Sequence, residues 1–209
     1  NENGIRITQK VAEHYKQKKW NICNGLADGI DTAAIQQDSN YYSGVIGIVA
    51  GGLAYNTRKT LLKKTSINAE NVIEAGGVVI SEFPPEEKET TFSVIKSCKL
   101  QADISDGLIL IQSSIDGGSK YTLKSYCEIG RPIAVINPIK DDEKLDSYSA
   151  NIAIRDNPIT GLSQITGLKL GKINTKSVTV LNSKNDYDAF DAAVSARNRQ
   201  TQISKTLFD

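Results

Sequence analysis

The sequence predicts a doubly wound, mostly parallel α/β fold with helices on both sheet faces, and three observations point there. Short apolar runs that do not alternate with polar residues recur along the chain: WNIC (20–23), VIGIVA (45–50), VVIS (78–81), GLILIQ (107–112) and PIAVIN (132–137). Strands buried on both faces read this way, whereas an antiparallel sheet with one wet face would alternate. Stretches with helical spacing separate the runs, and glycine-rich corners follow several of them, the order expected of parallel strands joined by crossover helices.

Taken in order, residues 5–18 carry Ile7, Val11 and Tyr15 among lysines and glutamines, a helix with one buried stripe. WNIC then turns at Asn24 to Gly29 into a helix starting near Asp31. VIGIVA runs into Gly51-Gly52, and residues 59–64 open a basic helical stretch. After VVIS, Pro84 and Pro85 break the chain and the polar run to Thr90 reads as a loop. A helix over 91–102 leads to GLILIQ; the turn Asp116-Gly117-Gly118-Ser119 starts a helix through Cys127; PIAVIN closes the series. These five runs are expected to lie parallel in one sheet. Residues 141–149 read as a loop or lid, 159–167 as a short helix, 177–181 as a further strand, and 185–196 as a helix with a capped start. The expected organisation is a core over 1–138 and an extension over 139–209 that completes or caps the same domain, with a polar tail from about 197.

The chain has 209 residues, 39% of them hydrophobic and 23% charged, with five prolines, which excludes disordered, collagenous and disulfide-scaffold proteins. No apolar run nears the roughly 20 residues of a membrane span, and no signal-peptide layout opens the chain, so a cytosolic protein that does not engage membranes is expected. Cys23, Cys98 and Cys127 stand far apart and His14 is the one histidine, which argues against a structural zinc site and for reduced thiols. With 25 basic and 24 acidic residues, any nucleic-acid binding must come from a local patch.

In an open parallel sheet, ligands bind beyond the carboxyl ends of the strands, where glycine lets backbone amides approach an anion. Three corners fit: Gly25 to Gly29, Gly51-Gly52, and Gly117-Gly118-Ser119. Glycine also serves such corners for backbone reasons alone. No GxxxxGK[ST] or GxGxxG pattern occurs, which disfavours an ATPase or an ordinary dinucleotide enzyme. Catalytic constellations are thin. Asp28, Asp31, Asp103, Asp106, Asp116 and Glu128 lie near turns and strand starts, where acids more often cap helices or complement their dipoles.

The order of motifs resembles the DprA/Smf family of DNA-processing proteins. NGLADGIDTAAI (24–35) is similar to the family's SGLARGIDxxAH, GVIGIVAGGL (44–53) to its strand and GCGL turn, and ISEFPP (80–85) to LSEYPP. The stretch from Phe92 through KSCK (96–99) to ISDGLILIQ takes the place of NFPRRNRIIxxLSDxVLVVEA, and GSKYTLKSYCEIGRPIAVINP (118–138) matches GSxxTAxxAxxxGRxVFAVPG at the same spacing. The resemblance covers about 20–138. It implies an extended Rossmann-like domain that forms a homodimer, binds single-stranded DNA in a basic pocket and hands it to a RecA-type recombinase, with no catalysis and no cofactor. Lys96 and Lys99 replace two arginines of the family's RRNR, Phe92 offers a ring for a base, and Ser119 and Thr122 are the serine and threonine of GSxxT. With Gly25, Gly29, Gly51, Gly52, Gly117 and Gly118 these make up the expected DNA- or phosphate-binding set.

The sequence also departs from the pattern. Asp28 stands where the family has Arg or Lys, Ile35 replaces its histidine, and AYNTRK replaces a tyrosine-proline element. The family's first strand with its Gly-Ser-Arg turn has no counterpart, and no winged-helix pattern follows Asn137. A second reading stays open: a nucleotide-binding sensor or a phosphoribohydrolase-like enzyme of the same superfamily. In it Gly117 and Gly118 hold a phosphate and Glu128 is the acid, although Glu128 falls six residues after Thr122 where that motif needs three.

Overall fold

Parallel pairing follows from the apolar runs as expected, but hydrogen bonds collect the strands into two sheets and not one. The structure, a computed structural model, describes residues 1–206, with side chains described to 199. The chain separates into two compact units, Asn1–Gln101 and Ala102–Asp209. An unalternating apolar run specifies burial of a strand on both faces but not its neighbour, so the number of sheets was not written in the pattern.

In the first unit, α1 (Glu2–Gln17) starts at Asn1, whose side chain accepts the Gly4 amide at 2.8 Å, and buries Thr8, Val11, Ala12 and Tyr15. Strands β1 (Ile22–Asn24), β4 (Val45–Ile48) and β5 (Val78–Ile80) form a parallel sheet in the order β1-β4-β5. Its register pairs Ile22 with Val45 and Ile46 with Val78. Between β1 and β4 lie α2 (Ile30–Ile35) and a hairpin that the sequence reading missed, β2 (Gln36–Gln37) against β3 (Asn40–Tyr41). Its turn residues Asp38 and Ser39 both have positive φ, the geometry that favours tight hairpins, without the glycine that usually signals it. Helices α3 (Tyr55–Arg58) and α4 (Lys63–Glu74) follow β4, and α5 (Thr91–Ile104) follows β5. Leu26, Ile35, Val45, Val49, Leu61, Ala69 and Val72 form the core. At the sheet's edge, Val78 and Ile80 of β5 remain exposed.

In the second unit, β6 (Leu108–Leu110), β7 (Ile133–Ile136) and β8 (Val178–Leu181) pair in parallel in that order. The central strand β7 is buried at all four residues. Helix α6 (Ser119–Ile129) crosses from β6 to β7 and ends on Gly130 in the left-handed region. The stretch expected to be a loop or lid holds a 3-10 turn (Asp146–Tyr148) that runs into α7 (Ser149–Asp156), followed by α8 (Pro158–Thr166). Leu123, Cys127, Ile133, Val135, Ile154 and Leu162 pack together there. Helix α9 (Tyr187–Thr206) continues well past Ala196. Its polar continuation is held because Arg197 donates to the Ile129 and Gly130 carbonyls and Asn198 to Asp106. Of the expected polar tail, residues 207–209 lie outside the described residues.

Candidate nucleic-acid interface

The expected binding residues divide between the two units. In the first, the turn after β1 is filled by its own chain. The Asp31 carboxylate accepts the Gly25 amide at 3.1 Å and the Ala27 amide at 3.2 Å, and Asp28 accepts the Gly29 amide at 2.9 Å. Desolvation of the Asp31 carboxyl holds it above the usual carboxylate range even though both amides pull the other way. Leu26, fully buried, takes a left-handed φ of 58°. Asn68 holds that turn from below: its side-chain amide donates to the Leu26 carbonyl and the Thr32 hydroxyl, and its oxygen accepts the Tyr41 hydroxyl.

The corner after β4 is closed in a different way. A Cβ at Gly51 would lie 2.2 Å from the Thr60 carbonyl, and one at Gly52 only 2.0 Å from the Pro84 carbonyl, so both glycines serve close backbone packing. The Gly52 amide donates to the Glu87 carbonyl at 2.8 Å, and its own carbonyl accepts the Thr60 hydroxyl. In the first unit the Gly25, Ala27, Gly29 and Gly52 amides, which the glycine pattern would offer to an external anion, are therefore taken up within the chain.

Helix α5 places its side chains in an unusual sense. Ser93, Ser97, Cys98 and Gln101 are buried, while Phe92, Ile95, Lys96 and Lys99, spaced as one helical face, point outward. Phe92 is 73% exposed, more than any other large apolar side chain described. The helix start is built by Thr90 and Ser93, each of whose hydroxyls accepts the other's backbone amide, at 3.1 and 2.7 Å. The Lys96 ammonium lies 5.2 Å from the centre of the Phe83 ring, a contact that holds the cation near the start of the helix. The apolar-and-basic face thus lies on a helix with a capped start.

In the second unit, Gly117-Gly118-Ser119 turns β6 into α6 as expected, with Ser119 the first helical residue. The Lys120 and Tyr121 amides bond back to the Gly117 and Gly118 carbonyls, which leaves the Gly118 and Ser119 amides at the tip. Nothing lies within 4 Å of a Cβ built on Gly118. A cleft of about 400 Å³ opens there, lined by Gln112, Ser113, Ser114, Gly117, Gly118, Ser119, Asp146 and Ser147. Thr122 is half-buried one turn further along.

Sequence reasoning missed the residue that shapes this cleft. Asn151, fully buried on α7, donates to the carbonyls of Leu110, Ile111 and Ile136 and accepts the Ser113 amide at 3.1 Å, fixing the carboxyl ends of β6 and β7 together. Glu128 lies nine residues after Ser119 on α6, about 13 Å along the axis from the turn it would have to serve as an acid. Burial pushes the Cys127 thiol up to about 12, so it is no nucleophile at neutral pH. Among the described residues no helix is long and apolar enough to cross a membrane.

Parallel sheets flanked by helices, with polar corners beyond the strand ends, define a Rossmann-like α/β protein. More particularly, the chain belongs to the DNA recombination-mediator protein A family, whose model matches residues 1–166. It is 23% identical over 133 residues to the DNA processing protein DprA of Bacillus subtilis, covering 64% of this chain and 43% of that protein. It is 27% identical over 137 residues to the protein Smf of Escherichia coli, covering 65% of this chain and 36% of that one. The chain thus spans less than half the length of these relatives. In fold it is similar to DprA from Streptococcus pneumoniae, with a TM-score of 0.62, 22% identity, and 90% of this chain against 57% of that one. DNA processing protein A from Helicobacter pylori, whose structure describes a single-stranded DNA binding mode, is similar at a TM-score of 0.61 and 17% identity, over 76% of this chain and 68% of that one.

Proposed function

We propose that this chain binds single-stranded DNA on the outer face of α5 and acts in DNA processing or recombination in the cytoplasm. There it would work as a homodimer that passes the strand to a RecA-type recombinase. The observation that carries the reading is the face itself: Phe92, the most exposed large apolar side chain, stands one turn from Lys96 and two from Lys99. An aromatic ring flanked by cations is a sequence-tolerant platform for an unstacked base and its phosphates. Membership of the DNA recombination-mediator family supports it. The Gly118 and Ser119 amides at the start of α6 offer a further place for a phosphate. The nucleotide-sensor or phosphoribohydrolase reading is weaker, because its acid Glu128 lies about 13 Å along α6 from the Gly117-Gly118 turn that would hold the phosphate.

Titration of a labelled oligonucleotide across a salt series tests this. Removing two single-strand phosphate contacts flattens the log–log salt dependence by about 1.4, so Lys96→Ala/Lys99→Ala should bind more weakly and with that flatter slope. Wild-type protein that binds a nucleotide from a panel but no oligonucleotide at low salt would overturn the reading in favour of the sensor.

A further inference from the structure

We propose that the segment 58–64 is a second contact surface for the single strand, joined to the start of α5. This rests on the reading of α5 as strand-binding and extends it to residues that reading does not use. Three features of the segment work against its own local structure. Lys59 holds a left-handed φ of 50°, a conformation glycine takes without strain. Leu62 is 67% exposed. Lys63 and Lys64 stand in the first turn of α4, where the helix dipole disfavours cations and no acidic residue balances them. Departures from local preference concentrated in six residues are the mark of a functional surface and not of a fold-determining one.

The base beneath these side chains is firm. Thr60 and Leu61 are buried, the Thr60 hydroxyl donates to the Gly52 carbonyl, and the Glu89 amide donates to the Thr60 carbonyl at 2.9 Å, one residue before the Thr90 cap of α5. Arg58 pairs with Glu86 at 3.5 Å, but Lys59, Lys63 and Lys64 have no ion-pair partner among the described residues. Unpaired cations around an exposed leucine fit a polyanion that also presents apolar faces. A duplex hides its base faces in the stack, so Leu62 gains only from an unstacked strand.

The test uses the full chain in three forms: wild type, Lys96→Ala/Lys99→Ala, and Lys59→Gly/Lys63→Ala, the last chosen because glycine suits the left-handed position and Lys63 is exposed. Each is titrated with oligothymidine across a salt series, melted in parallel, and crosslinked to a photoreactive strand. The proposal expects the loop variant to lose affinity several-fold with a slope flatter by about 1.4 and an unchanged or higher melting temperature. It also expects a crosslink within 58–64. Glu86→Gln, which releases Arg58, should bind more tightly. A loop variant equal to wild type in affinity and slope, with the α5 variant weakened, overturns this inference and leaves the α5 reading standing. No binding by wild type overturns the α5 reading itself. Loss of phosphatidylserine-vesicle binding by the loop variant, with oligonucleotide binding intact, overturns it in favour of a membrane surface.

Discussion

The Asp31 carboxyl group accepts a hydrogen bond from the Gly25 amide at 3.1 Å, so the protein's own side chain sits where a phosphate would enter the first glycine corner. A pH dependence follows. Desolvation raises the Asp31 pKa in the folded state, so its contribution to stability is fully present below the ordinary carboxylate range and is lost as pH rises through the raised value. Urea midpoints of wild type and Asp31→Asn measured between pH 3 and 7 should show the wild type's advantage shrinking with rising pH. A constant difference would mean that burial does not govern this carboxyl.

Gly52 should be sensitive to alanine and Gly118 indifferent to it. A Cβ at Gly52 meets the Pro84 and Pro85 carbonyls at 2.0 and 2.3 Å, so Gly52→Ala should destabilise by about 1–3 kcal/mol or more, the range for overpacking. Gly118→Ala meets nothing within 4 Å and should melt within a degree or two of wild type. Thermal melts of the two variants decide it.

Asn151→Ala strips four backbone groups of their partner at the ends of β6 and β7. Unfolding in urea should show a loss of about 3–5 kcal/mol, since each orphaned buried group costs about 1–3 kcal/mol less what water recovers. Asn151→Asp, which keeps the acceptor for Ser113 but loses the donors, should fall no less.

Phe92→Ala should leave stability nearly unchanged, because the ring is 73% exposed, yet weaken oligonucleotide binding by about 1–3 kcal/mol, the range for one stacked base. Equal affinity by anisotropy would remove Phe92 from the strand-binding face.

Strands and crossover helices were readable because a parallel strand needs a continuous apolar run, and each expected run contains the observed strand, with Ile22–Asn24 reaching one residue beyond WNIC. The hairpin at 36–41 was not, because Asp38 and Ser39 adopt positive φ without glycine. Helix α7 hid in a polar stretch whose decisive residue, Asn151, looks like a surface side chain until its four buried partners are seen. The α5 face was readable through Lys96, Lys99 and Phe92. What the glycine pattern lacked was occupancy: it marks where backbone can come close, and in the first unit the approaching groups are Asp31, Thr60 and Pro84. The role of Lys59, Lys63 and Lys64 was equally silent, since a basic run carries no record of backbone strain.

The exposed Val78 and Ile80 on β5 bear on how this protein behaves in a concentrated solution. An uncovered apolar edge strand is a template on which another chain can add its own strand through backbone hydrogen bonds. Self-association through that edge would grow with concentration, tolerate high salt and vanish in Val78→Lys, whereas the proposed homodimer survives that change if it uses another surface. Oligomeric state measured on the Val78→Lys protein is therefore the meaningful number, and storage at low concentration is the practical precaution.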